Sequence, residues 1–516
     1  MNNADEFLQV KQLFQLGDLP TETPNPATAK LSEFAEKDVA GGLDLLREVD
    51  LAALRKMLAL KDRMRPVFVA VADTLEAGDR VFMVGCGATG RLSLSLEYLW
   101  RRRHPGSEQV FSLMAGGDVA LVHSLEGFED FPEFGARHLL QLGFRDGDLL
   151  IGPTEGGETP YVIGAIEEAA RVSRRPPLFM YCNPRDVLMQ KVERSRRVLA
   201  NPKVQSFALE TGPMGLTGST RMQASTVLML MIGLALDFGR DVDGAFRMLA
   251  EWIDRLGEQP ASDFKDFVLR EAETYAEGGH TCYTVDEFAI TVFTDTTERA
   301  PTFNLAPFDN PKHLTDRHSL TYIAIPSAPA GQTAWRHLLA RTPRPINWPE
   351  VHKKTTDDYL YSFDFGANAL KFREKLVPGA QLHLFSVELE GEEIVWRFRD
   401  LEKRLPLFND SMLLAHLTVK MLLNAHSTLV MGRLKRFEGN LMTWVYPSNG
   451  KLVDRAARYT QILLAQKGHR DFAYDDIVRA QFAAKAALSP KESIVHKTME
   501  ILINGRTRRP ESRAPR

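Results

Sequence analysis

Cysteine is scarce in this sequence: Cys86, Cys182 and Cys282 are the 3 present in 516 residues, and none lies near another. Without a CxxC spacing they build neither a disulfide framework nor a zinc site, so a reducing compartment is expected. An excess of one charge is also missing. The 64 Lys and Arg against 67 Asp and Glu leave −3, which gives no global attraction to nucleic acid or to an anionic membrane. No apolar run approaches the ~20 residues of a membrane span. The most apolar stretch, Val227 to Leu236, ends at Asp237. Met1 to Gln15 lacks the basic and apolar regions of an export signal. A soluble, cytoplasmic protein is expected, with no nucleic-acid or membrane partner.

What is present is ordinary globular composition, 44% apolar and 25% charged, in a chain long enough for two to four folded units at roughly 150 residues each. Residues 1 to about 28, ending TETPNPAT, read equally as an ordered arm or a loose tail. From Lys30 to Glu76 apolar residues return at three- and four-residue spacing, predicting two or three amphipathic helices. At Arg80 the period changes. RVFMVG, QVFSLMAGG, DLLIGPTEGG and PLFMYCNP are short apolar runs ending in Gly or Pro and separated by helical patterns, which predicts a parallel α/β sheet. After a charged stretch near Pro260 to Ala276, FAITVFTD, LTYIAIPS and AQLHLFSVEL predict strands of a second α/β unit, and after about Leu413 the pattern is helical. The basic end, GRTRRPESRAPR, reads as a frayed tail.

Three loops carry the chemistry. Gly85-Cys86-Gly87-Ala88-Thr89-Gly90 stands between a predicted strand and a helix, where glycines allow close approach and helix amides favour an anion. It matches GxGxxG superficially, but the following region, RRRHPGSEQ, lacks the acidic ribose-binding residue of a dinucleotide fold, and no cofactor is expected. Gly152 to Pro160 is a second such loop, containing Thr154, Glu155 and Gly156. In the third, Leu216 to Met222, Ser219 and Thr220 either cap the following helix or meet a ligand. Together the loops point to a phosphorylated small molecule. His280 with Cys282, and His313 with His318, make no good metal geometry, so no metal is expected.

These residues resemble a known family. GCGATGRL, AGGDVALVHSLEGFED, GETPYVIGA and LTGSTRM are similar to the sugar isomerase (SIS) domain of N-acetylmuramic acid 6-phosphate etherases and of the glucokinase regulatory protein. DEFAITVFTDTTERAPTF and YPSNGKLVDRA resemble the regulatory group's second domain and lid, so the resemblance runs from about residue 30 to 460. It implies an α/β fold with two tandem, doubly wound parallel-sheet SIS domains. The implied layout is 1–64 arm and helices, 65–258 first domain, 270–432 second domain, 433–504 helical lid and 505–516 flexible tail.

The resemblance further implies a sugar-phosphate site at Ala88, Thr89, Glu129, Thr154, Glu155, Gly156, Glu298 and Lys451, joined by Ser219 and Thr220. Thr89 and Thr154 would offer hydroxyls to phosphate, Lys451 a point charge, and Glu129 and Glu298 acceptors for sugar hydroxyls. The ligand would be a fructose phosphate or an N-acetylmuramic acid 6-phosphate. The main expectation is a binding protein of the regulatory type that acts on a sugar kinase. The alternative is an etherase, a carbon-oxygen lyase, or a sugar-phosphate isomerase using Glu129. Against the alternative, the first etherase glutamate falls on Leu99, and Glu97, about 200° away on a helix, is expected to be a surface charge. Two further departures stand out: Glu158 would repel a phosphate unless it points away, and Gln223 stands where the family tends to have a lysine.

Overall fold

A computed structural model of the chain describes residues 3–507, apart from residues 15, 124, 126, 350 and 352. The amino-terminal stretch is an ordered arm. After helix α1 (Ala4–Val10), Leu16 and Leu19 are buried, Thr21 accepts and donates hydrogen bonds with Asn183, and Glu22 is buried against Arg455. Three amphipathic helices follow as the periodicity predicts: α2 (Leu31–Lys37), α3 (Val39–Leu58) and α4 (Lys61–Glu76).

The first sheet is wholly parallel. Its elements are β1 (Val81–Gly85), α5 (Ala88–Arg103), β2 (Val110–Met114), α6 (Pro132–Gln141), β3 (Leu149–Thr154), α7 (Pro160–Val172), β4 (Leu178–Tyr181), α8 (Arg185–Lys191), α9 (Glu193–Leu199) and β5 (Gln205–Ala208). The strand order is β2-β1-β3-β4-β5. β1 and β3 are buried along their whole length, which is why their sequences are continuous apolar runs rather than alternating ones. From β1 the chain moves to β2 on one side and later to β3 on the other. Such a reversal opens a crevice at the carboxyl ends of the strands, where open α/β sheets bind ligands. The two Gly-rich loops follow β1 and β3 and meet there.

Helices α10 (Gln223–Phe238), α11 (Val242–Glu258) and α12 (Lys265–Ala276) lead to a second sheet of β6 (His280–Val285), β7 (Thr321–Ala324), β8 (Leu382–Glu390), β9 (Glu393–Phe398) and β10 (Leu401–Pro406). Its order is β10-β9-β8-β6-β7, and two expectations are corrected here. FAITVFTD is no strand; it belongs to helix α13 (Ala289–Phe303), buried on most sides, and a short apolar run does not distinguish a buried helix from a strand. The sheet is also not all parallel. β6 pairs in parallel with β7 and β8, but β8, β9 and β10 form an antiparallel meander whose first turn uses Gly391 at φ +62°.

Helices α14 (Gly331–Leu339), α15 (Asp357–Leu360) and α16 (Asn368–Leu376) lie between β7 and β8 in the chain; α14 packs on α5 and α13, and α16 on β7. Helix α17 (Met412–Arg433), buried through most of its length, contributes to the cores of both halves. After it come α18 (Gly450–Gln466), α19 (Tyr474–Ala486) and α20 (Ile494–Thr507). The rest of the expected tail, residues 508–516, lies outside the described residues. Among the described residues no helix is long and apolar enough to cross a membrane.

Candidate functional site

The loop after β1 is closed by its own threonine. Thr89 Oγ1 accepts from Cys86 N at 3.0 Å and donates to Cys86 O at 2.9 Å, while Gly87 takes φ +53°. A Cβ on Gly85 would lie 2.3 Å from Gly90 N, so only glycine lets α5 start this close to the strand. The loop after β3 is strapped from behind. Glu155 O accepts from Cys182 N at 3.1 Å, Gly156 O from Asn183 Nδ2 at 3.0 Å, and Thr154 Oγ1 pairs with Thr159 Oγ1 at 3.0 Å.

Between these loops, α13 and α18 lies a cavity of about 170 Å³. It brings together Ala88, Glu129, Glu155, Thr220, Glu298 and Lys451. Thr89, Thr154, Gly156 and Ser219 are not among its lining residues. The Thr89 hydroxyl is bonded within its own loop, and that of Thr154 pairs with Thr159. Ser219 is buried and its hydroxyl has no hydrogen-bond partner among the described residues, so it remains available beside Thr220.

The carboxylates differ in setting. Glu129 accepts from the Cys86 thiol at 3.0 Å and from Asn449 Nδ2 at 3.3 Å. Burial pushes that thiol well above its usual value, and the Glu129 charge adds to it, so Cys86 stays a neutral donor. Glu298 carries its own counter-ion, Arg91 at 2.6 Å. Glu155 has none: burial raises its carboxyl to about 8, and Oε1 has no partner among the described residues. It is a neutral acid at physiological pH. Glu158 is the reverse case. Burial would raise it, but Lys451 at 3.0 Å and Arg194 outweigh that and hold it down to about 2. The expectation that Glu158 repels a phosphate is thereby corrected: its charge is compensated by two cations, and it shares that of Lys451.

Position 99 does not bear on this cavity. Leu99 is 11 residues along α5 from Ala88, about 16 Å at the helical rise, and faces a separate groove with Arg102, Asp237 and Met248. The departure from the family's glutamate at this position stands, on a face outside the cavity. Glu97 is no surface charge either. It is 1% exposed, bonded to Arg344 and Arg101 at 2.9 Å each, ion-paired with Arg341 at 3.0 Å, and accepts from Ser112; burial would raise it, but Arg341, Arg344 and Arg101 hold it at about 2. Gln223 holds Asp50 and Gly215 N, while Lys420 of α17 donates to Arg221 O at 2.8 Å and Thr226 Oγ1 at 2.7 Å.

Three contributors escaped the sequence reading. Asn449 caps α18 and touches Glu129, Arg455 lies one turn beyond Lys451, and Glu22 from the arm grips Arg455 at 2.6 Å. The i, i+4 spacing of Lys451 and Arg455 was the available signal; Glu22 gave none.

A parallel sheet with a polar crevice at its switch point, glutamates and helix amino ends around it, defines a sugar-phosphate-related protein of the sugar isomerase class. The family profile described as "Glucokinase regulatory protein N-terminal SIS domain" matches residues 64–170. The N-acetylmuramic acid 6-phosphate etherase of Rippkaea orientalis is 32% identical over 228 residues, 43% of this chain and 68% of the relative. That of Thermosynechococcus vestitus is 32% identical over 230 residues, 44% and 68%. A solved structure described as a candidate tagatose-6-phosphate ketose/aldose isomerase from Clostridium novyi is 11% identical, covers 80% of this chain and 92% of its own, and superimposes with TM-score 0.46. The chain belongs to the N-acetylmuramic acid 6-phosphate etherase family of sugar isomerase domain proteins.

Proposed function

We propose that the cavity binds a phosphorylated amino sugar and acts as a carbon-oxygen lyase on N-acetylmuramic acid 6-phosphate. The ligand would lie between two sugar isomerase domains, 65–258 and 270–432, beneath a helical lid of 433–504. The observation that carries this reading is the pairing of Glu129 with Glu155 on one cavity, the first in a polar setting with two donors, the second buried and kept neutral up to about pH 8. Environments that push two carboxyl groups apart divide them into base and acid.

In the elimination, Glu129 takes the proton from the carbon next to the sugar's carbonyl. The freed electron pair forms the carbon-carbon double bond as the ether carbon-oxygen bond breaks. Glu155 gives its proton to the departing lactyl oxygen, and proton exchange with water resets both groups. Each positioned acid or base contributes typically about 100- to 10,000-fold. Phosphate would sit toward Lys451, Arg455, the Ser219 and Thr220 hydroxyls and the amino end of α5. Glu298, paired with Arg91, would accept a sugar hydroxyl.

A proton NMR time course with N-acetylmuramic acid 6-phosphate tests this. Free lactate methyl signal should grow with the parent. It should fall at least 100-fold for Glu155→Gln while ligand line broadening persists. Loss of turnover in Glu298→Gln with Glu155→Gln fully active would move the acid to Glu298. The match of residues 64–170 to the regulatory-protein domain favours a second reading, binding without turnover that signals to a sugar kinase. Broadened ligand lines without lactate from the parent would support it.

A further inference from the structure

The second half sends one segment back onto the first. Residues 341–348, beyond the end of α14, are anchored by two arginines. Arg341 sets its terminal nitrogens on Asp118 at 2.5 and 3.1 Å. Arg344 gives its backbone N–H to the same carboxylate at 2.6 Å and its guanidinium to Glu97 at 2.9 Å. Past these anchors Trp348 enters the first half's core, 5% exposed. Its indole stacks on Phe128 with ring centres 5.8 Å and planes 24° apart, meets Phe134 edge-on at 5.4 Å, and donates to Gln141 Oε1; Arg137 covers it at 4.2 Å.

Phe128 is the residue before Glu129, and both belong to one 3-10 turn, Phe128–Asp130. Upstream, Phe128 N donates to Leu125 O at 3.4 Å, and Gly127 stands at φ +83° with no side chain. Three rings hold Phe128, Phe134 at 4.8 Å, Trp348 at 5.8 Å and Tyr161 at 6.1 Å, of which Trp348 is the one supplied by the second half; in so short a turn the hold on residue 128 bears on the direction of residue 129. We propose that Trp348 is a positioning residue for Glu129, acting through Phe128. The buried Glu97 and Asp118, by fixing Arg341 and Arg344, make the placement of the first half's base depend on the second half. This rests on the reading of Glu129 as that base.

The test uses the full chain with Trp348→Leu, Trp348→Phe and Glu129→Gln, N-acetylmuramic acid 6-phosphate as ligand, and lactate release as the rate. A misplacement of about 1 Å costs on the order of 100-fold. Trp348→Leu should therefore lower kcat roughly 10- to 100-fold with KM within about twofold, and displace the acid limb of the pH-rate profile. Trp348→Phe keeps a ring on Phe128 and should recover most of the loss. An unchanged kcat and acid limb in folded Trp348→Leu protein overturns the proposal.

A second measurement does not need that variant to fold. In protein labelled with 5-fluorotryptophan, the fluorine line of Trp348, assigned by its loss in Trp348→Phe, should shift on ligand titration and stay still in Glu129→Gln. A line unmoved by ligand in the parent also overturns the proposal. Glu129→Gln protein as active as the parent would instead overturn the reading of Glu129, and the positioning role with it.

Discussion

Replacing Glu155 by glutamine gives the sharpest test of the cavity's electrostatics, because the side chain keeps its size and loses its charge. Burial raises this carboxyl from 4.5 to about 8, some 3.5 pH units. At about 1.4 kcal/mol per unit, the ionised form costs the folded chain about 5 kcal/mol relative to the unfolded one. The folded chain binds the proton more tightly, so this contribution is fully present below about pH 4.5 and is lost as pH rises through about 8. At 8% exposure the group receives little solvent screening. Thermal and urea unfolding of the parent and of Glu155→Gln should therefore agree near pH 5 and diverge progressively toward pH 9. The variant should end several degrees and a few kcal/mol more stable, the opposite of most changes in a buried site. Parallel stability profiles across that range would show that Glu155 is solvated or finds a donor, and its part as acid would go with it.

Other perturbations probe the remaining charges. Glu158→Gln frees Lys451 from its 3.0 Å partner and should tighten binding of inorganic phosphate about 3- to 10-fold, measured by calorimetry; unchanged affinity would place the anion elsewhere. Arg91→Met breaks the 2.6 Å pair with Glu298 and should destabilise by about 3 kcal/mol in urea, with the Glu298→Leu double variant recovering part of it. Glu97, held at about 2 in the fold, stabilises above about pH 4.5 and loses that contribution as pH falls toward 2. Glu97→Gln should accordingly unfold at acid pH with less pH dependence than the parent, as followed by circular dichroism.

Local pattern made the first half legible. VFMVG before GCGATG, and LLIGPT before EGGETP, are strand-to-helix hand-overs whose glycines have steric work to do, and they mark the crevice. The second half was less so. AITVF reads the same in a buried helix as in a strand, and the antiparallel meander was announced only by the glycine in EGEE. Of the cavity's residues, those carried by Gly-rich loops or by resemblance came through. What did not come through is which hydroxyls are already bonded within their own loops, that position 99 looks away from Glu129, and, across distant chain, that Glu97 faces Arg341 and Arg344. Pairings across more than two hundred residues leave no periodicity to read.

The grip of Arg455 on Glu22 has a consequence for biosynthesis. Glu22 is paired with a residue made more than four hundred positions later, and in between it has to wait in water. The arm cannot take its final place until α18 has been made to close over the crevice. Ribosome-bound chains halted before α18 should thus present an arm open to proteolysis over an already assembled first sheet, and release of a chain that includes α18 should protect the arm and α18 at once.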